Sequence, residues 1–124
     1  MLHEDITERI IGAAIKVHSA LGPGLLESTY HACLEHEFLT DGLHFESQVP
    51  LPVVYRDIRL NLGYRLDFVV EEVVIVEIKA VEKILPVHLA QSLSYLKLKP
   101  CPVGLLINFN VVHLRSGIRR IVNG

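Results

Sequence analysis

The sequence predicts a mixed α/β fold: two helices, a β-meander, a third helix, and a buried strand near the C-terminus. Three observations carry this reading. Apolar residues recur at helical spacing along two stretches between residues 5 and 39. From His44 the pattern changes to short β-branched and aromatic runs, punctuated by Pro, Gly and charged pairs. Later a continuous apolar run, Val103-Gly104-Leu105-Leu106-Ile107-Asn108-Phe109, follows another helical stretch, as a central strand reached by a helical crossover would.

Composition bounds the answer. A chain of 124 residues with 50% hydrophobic and 21% charged residues can fill one core, so one domain over 1–124 is expected and disorder is not. The formal charge of −2 supplies no overall attraction to nucleic acid, so such a partner would need a local basic patch. Cys33 and Cys101, the two cysteines, make no disulfide framework and fit a reducing compartment. No apolar run approaches the length of a membrane span, and the segment MLHEDITERI is acidic and amphipathic, unlike a signal peptide. A soluble cytoplasmic chain is the expectation.

Taken in order, Asp5 to Leu21 forms the first helix, with Asp5 as N-cap and Glu8 completing a capping box. Ile6, Ile10, Ala13, Ala14, Val17 and Leu21 make its core face. Gly22-Pro23-Gly24 breaks it, and Gly24 reads as a turn residue. The second helix runs from about Leu25 to Leu39 with the stripe Leu26, Tyr30, Cys33, Leu34 and Phe38, and ends at Asp41-Gly42. Glu27 and Tyr30 are neighbours on it, and Glu27 by itself reads as a first-turn glutamate favoured by the helix dipole. His31, Cys33 and His36 do not build a zinc site, because their helical spacing points them apart, so they read as surface or half-buried residues.

Phe45 to Val49 leads into Leu51 to Tyr55, with Pro50 and Pro52 marking an edge or interruption. Arg56-Asp57 is a hairpin turn, and Ile58 to Leu62 is a strand that a meander would pair with its neighbours. Arg65 to Val70 and Val73 to Lys79 are two strands around a Glu71-Glu72 turn. Pro86 opens a helix that continues from Val87 to Leu98, with Leu89, Leu93 and Leu96 as core candidates and Gln91 and Tyr95 on one face. After Val103–Phe109, the runs Val111 to Arg115 and Ile118 to Val122 are expected to form a hairpin around Ser116-Gly117, bearing the basic cluster Arg115, Arg119 and Arg120.

The chemistry lies in charges placed inside apolar strands. Glu77 and Lys79 share a face with Ile78 opposite, and a turn at Glu71-Glu72 sets Asp67 beside Glu77. Charges are rarely tolerated there unless paired or metal-bound. Two carboxylates suit a hard cation such as Mg2+ or Mn2+, and a lysine beside them can stabilise developing charge or orient a nucleophile. The same residues also fit a structural cluster in which Lys79 neutralises Asp67 and Glu77.

Asp67, nine intervening residues and Glu77-x-Lys79 resemble the PD-(D/E)xK nuclease signature. Upstream, Gly24-Leu-Leu-Glu27-Ser-Thr-Tyr30 matches the motif that names the bacterial GxxExxY family; downstream, Gln91-Ser-Leu-Ser-Tyr95 resembles the QxxxY motif of RecB-type nucleases. The chain thus resembles a GxxExxY protein of the PD-(D/E)xK superfamily. That resemblance implies a restriction-endonuclease-like αβββαβ core, a mixed sheet flanked by helices, with one extra N-terminal helix. It implies a Mg2+- or Mn2+-dependent nuclease acting on DNA or RNA. Asp67, Glu77, Glu27 and the Ile78 carbonyl would hold metal, and Asp67, Glu77, Lys79 and Glu27 would serve catalysis. Gln91, Tyr95 and Tyr30 would support the substrate or the site. The alternative keeps the fold as a non-catalytic nucleic-acid- or partner-binding module, within a larger assembly or a homodimer.

Overall fold

A computed structural model describes residues 2–124. Helix α1 (Glu4–Leu21) buries Ile10, Ala13, Ala14 and Val17, with Ile6 at the edge of the same cluster, while Leu21 at the helix end is exposed. Its start differs from the expected capping box. His3, in the left-handed conformation, precedes Glu4 and makes no side-chain cap, so Asp5 lies in the first turn, where its charge suits the helix dipole. Helix α2 (Glu27–Thr40) buries Tyr30, Leu34 and Phe38; Cys33 is half-buried, and Leu26 precedes the helix and is exposed. The helices are clasped where the Arg9 guanidinium meets the Asp41 carboxylate at 3.0 Å and its carbonyl at 2.8 Å.

The strands are β1 (Phe45–Pro50), β2 (Val53–Tyr55), β3 (Ile58–Leu60), β4 (Arg65–Val70), β5 (Val74–Lys79), β6 (Val103–Asn108) and β7 (Ile118–Val122), with α3 (Pro86–Leu98) between β5 and β6. A five-stranded sheet runs in the order β1-β4-β5-β6-β7. Its β5–β6 pair is parallel and the other pairs are antiparallel, so the sheet is mixed and α3 is the crossover. The expected simple meander is corrected here: β2 and β3 pair only with each other, and β1 pairs directly with β4. The prolines explain the detour. Leu51 donates to the Tyr64 carbonyl at 2.8 Å, but Pro52 has no N–H to continue the ladder.

The C-terminal hairpin is also corrected. Residues 111–113 form no strand, Leu114–Gly117 is a short 3-10 helix, and β7 folds back onto β6. His18 holds the Val111 carbonyl at 2.7 Å. Gly117 sits so close to the end of β6 that a Cβ there would lie 2.3 Å from the Asn108 carbonyl oxygen, a contact no other residue can make. Two of the three arginines of the expected basic cluster are engaged within the fold, and Arg115 stays exposed: Arg119 bonds the Ser116 and Ile118 carbonyls, and Arg120 reaches the Leu2 carbonyl and the Thr7 hydroxyl.

Two cores flank the sheet. Residues of α1 and α2 pack with Phe68, Val76, Ile78, Leu105 and Ile107 on one side. Tyr95 and Leu96 of α3 pack with Leu66, Val69, Ile75 and Cys101 on the other. Along α3 the inner face is Ser92, Tyr95 and Leu96; of the three expected leucines, Leu96 is buried, Leu93 is half-buried and Leu89 is exposed. Among the described residues no helix is long and apolar enough to cross a membrane.

Candidate active site

The β4–β5 hairpin builds the site. Its turn carries φ of 51° at Glu71 and 61° at Glu72, and the Val73 N–H donates to the Val70 carbonyl at 3.1 Å. Two positive φ values are typical of the primed turns whose twist suits the flanking strands, and Val73 joins Glu71 and Glu72 as a third loop residue. The register that follows pairs Val70 with Val74, Val69 with Ile75 and Phe68 with Val76.

At the next step, Asp67 and Glu77, side chains replace the backbone ladder. The Ile78 N–H donates to Asp67 Oδ2 at 2.7 Å, and the Asp67 N–H donates to Glu77 Oε1 at 3.3 Å. Each carboxylate is thus anchored by the backbone of the opposite strand. The regular alternation of β4 also fails at this point. Leu66 and Phe68 are two apart yet pack on opposite sides of the sheet, and Gln48, between their partners on β1, has a φ of 54°.

Glu77 is buried at 8% exposure, and its carboxyl is pushed far above the carboxylate range. Desolvation is the main cause, followed by the Asp67 charge and their hydrogen bond; Lys79 opposes the shift only weakly. Glu27, at the start of α2, is raised in the same sense by desolvation and then by Asp67, with Lys79 and His31 opposing. The residue as a whole is exposed, so solvent screens this effect. Lys79 extends to the α3 side, where Nζ donates to Gln91 Oε1 at 3.5 Å. Among the described residues it makes no ion pair with Asp67 or Glu77. Tyr95 is also raised, by burial and then by Glu77, Tyr64 and Asp67.

The residues expected from sequence therefore come together in part. Asp67, Glu77, Lys79, Gln91 and Tyr95 occupy one neighbourhood, and Glu27 joins it electrostatically from α2. Tyr30 takes only a supporting place. It is fully buried, stacks on Phe109 at 4.5 Å, donates to the Gly22 carbonyl at 2.6 Å and accepts from the Leu25 N–H at 3.1 Å. Those bonds hold the loop before Glu27, where Gly24 has a φ of 95° that favours glycine.

A divalent cation fits the donor chemistry. Two carboxylates lie together at a buried position where the one nearby cation compensates weakly, and oxygen donors suit hard metals. Among the described residues no three His, Cys, Asp or Glu side chains form a closed cage, so the fit rests on the Asp67–Glu77 pair.

A family model described as the PD-(D/E)XK nuclease superfamily matches residues 4–121. The chain belongs to the PD-(D/E)XK nuclease superfamily. No curated protein and no solved structure matches it significantly. In this PD-(D/E)XK chain the αβββαβ core is α2-β1-β4-β5-α3-β6, with α1 as the extra helix and β2–β3 as an inserted hairpin.

Two contributors escaped the sequence reading. His31 stacks on Phe68 at 4.2 Å and its Nε2 lies 3.3 Å from the Asp67 carbonyl and 3.3 Å from Gln48 Nε2. It sits four residues after Glu27, and that spacing was the available signal. Asn108, buried at the end of β6 opposite Lys79, holds Val81 through both its N–H and its carbonyl, at 3.1 Å and 2.9 Å. An amide inside an otherwise apolar run was its signal.

Proposed function

We propose that this chain is a divalent-metal-dependent nuclease of the GxxExxY type, a single cytoplasmic domain over 1–124 that hydrolyses phosphodiester bonds in DNA or RNA. The observation that carries the reading is the Asp67–Glu77 interlock: two backbone-anchored carboxylates, one of them buried without an ion-pair partner among the described residues. Membership of the PD-(D/E)XK superfamily supports nuclease chemistry, a nucleic-acid substrate and, in general, a divalent metal.

Asp67 and Glu77 would hold Mg2+ or Mn2+ with the Ile78 carbonyl, and Glu27 would add a ligand directly or through water. A bound cation would supply Lewis-acid chemistry at the phosphate and the attacking water. Lys79 would orient that water and offset charge that builds on the phosphoryl oxygens. Gln91, accepting from Lys79 Nζ, keeps that ammonium pointed along the α3 side of the site.

The test is cleavage of single- and double-stranded DNA and RNA with Mg2+ or Mn2+, wild type against Glu77→Ala. Loss of several kcal/mol of transition-state stabilisation corresponds to a fall of at least about 100-fold in rate, with folding intact. Equal cleavage by both proteins would remove Glu77 from the mechanism. One observation favours a competing reading: the net charge is −2, and Arg119 and Arg120 are engaged within the fold. Metal binding with no cleavage of any of the four nucleic acids would establish a binding module instead.

A further inference from the structure

Beside the carboxylates lies a slot of about 230 Å³ lined by Val53, Tyr64, Gln91, Ser94, Tyr95 and Leu98. One wall is α3. The other is the foot of the β2–β3 hairpin, entered through Val53 and left through Tyr64. The Tyr64 and Tyr95 rings stand 6.4 Å apart at 65°. We infer that this slot receives one unpaired nucleobase of the strand being cut, so that the substrate is single-stranded or locally unpaired. The inference rests on the nuclease reading and specifies its substrate class.

Three features point to this occupant. First, the slot shares two residues with the neighbourhood of the carboxylates. Gln91 lines it and also accepts from Lys79, and Tyr95 lines it while feeling the charges of Glu77 and Asp67. A nucleotide seated there stays next to the phosphate under attack. Second, it is lined by the Tyr64 and Tyr95 rings, set edge to face, and by the aliphatic side chains of Val53 and Leu98, and a base of any kind can stack on the half-exposed Tyr64 ring. Third, its rim is polar. Gln91 Oε1 is engaged by Lys79, which leaves the amide NH2 to donate, and Ser94 adds a hydroxyl. A purely apolar occupant would leave these groups unpaired, whereas a base edge satisfies them. The slot has room for one base beside the Tyr64 ring, and a base reaches that ring only when it is unstacked from its neighbours, so a duplex binds productively only after unstacking.

The test uses the uncleaving Glu77→Gln protein and a short fluorescein-labelled oligonucleotide, as DNA and as RNA, each single-stranded or annealed to its complement. Binding is read by anisotropy with Tyr64 intact, Tyr64→Ala or Tyr64→Phe. Tyr64 is 44% exposed and lies outside the proposed catalytic set, and thermal melts confirm the fold of each variant. The expected result is about a tenfold or greater loss of single-strand affinity in Tyr64→Ala, little change for duplex, and near-complete recovery in Tyr64→Phe. Unchanged single-strand affinity, or an equal loss on duplex, overturns the slot. Parallel cleavage assays separate the two ideas. If Glu77-dependent cleavage persists while Tyr64→Ala is indifferent, the slot alone fails; if no nucleic acid is bound or cut, the nuclease reading fails and the slot with it.

Discussion

At the scale of single residues, Glu77 carries the sharpest consequence. Its carboxyl is raised from the usual 4.5 to about 9 in the folded chain. A carboxyl with a raised folded pKa favours the protonated form. Its contribution to stability is therefore complete below about 4.5 and is lost as pH rises through about 9. In the presence of chelator, denaturant midpoints of the wild type should fall across that interval relative to Glu77→Gln, by at least about 1 kcal/mol. Added Mg2+ or Mn2+ should shrink the difference, because a cation favours the ionised pair. Parallel pH profiles for the two proteins would contradict a buried, shifted Glu77. Tyr30 makes the complementary point: a motif residue can serve the site entirely through the fold, by fastening the loop ahead of Glu27.

At the scale of elements, the β4–β5 turn fixes everything downstream. Because side chains alternate, a slip of one residue would turn Glu77 and Lys79 away from α3. The register is nevertheless set by two glutamates in a left-handed conformation that costs roughly 1 kcal/mol or more apiece. Backbone pairing supports them: the Glu71 N–H donates to the His44 carbonyl at 2.8 Å, and its carboxylate accepts from the His44 N–H at 3.1 Å. Glu72 is exposed and its side chain has no such role, so Glu72→Gly should relieve the strain. A gain of up to about 1 kcal/mol is expected by chemical denaturation, after the entropy cost of glycine is subtracted. A loss of stability would mean that the Glu72 side chain contributes more than its conformation costs.

At the scale of the molecule, the sheet separates two cores of unequal extent, and the β2–β3 hairpin stands outside the sheet. A two-stranded ribbon is marginal alone, and Val54, Tyr55 and Ile58 on it are exposed. Native-state hydrogen exchange should therefore find β5 and β6 amides the slowest and the hairpin amides among the fastest. The hairpin supplies Val53 to the slot beside the site, and the segment leading from it to β4 supplies Tyr64, so single-stranded nucleic acid should raise its protection selectively. Hairpin amides as protected as those of β5 in the free protein would rule out this hierarchy.

The sequence by itself determined the local elements and the charged centre. Period and turn chemistry act over a few residues, so α1, α2, α3, the β4–β5 hairpin and the β5–α3–β6 crossover were legible. So was the neighbourhood of Asp67 and Glu77 across the turn, although their register also needs Val73 in the loop and the break in the alternation of β4. Only the tertiary structure decided which strands pair at long range and which side chains meet across elements. Pro52 ejects the hairpin from the sheet, and Gly117 lets β7 fold back against β6, through contacts that local pattern does not encode. Likewise His31 against Asp67, Asn108 against Val81, and Tyr64 against Tyr95 are encounters between distant segments. Burial and charge at the site are sums over such encounters, which is why the sequence named the carboxylates but not their surroundings.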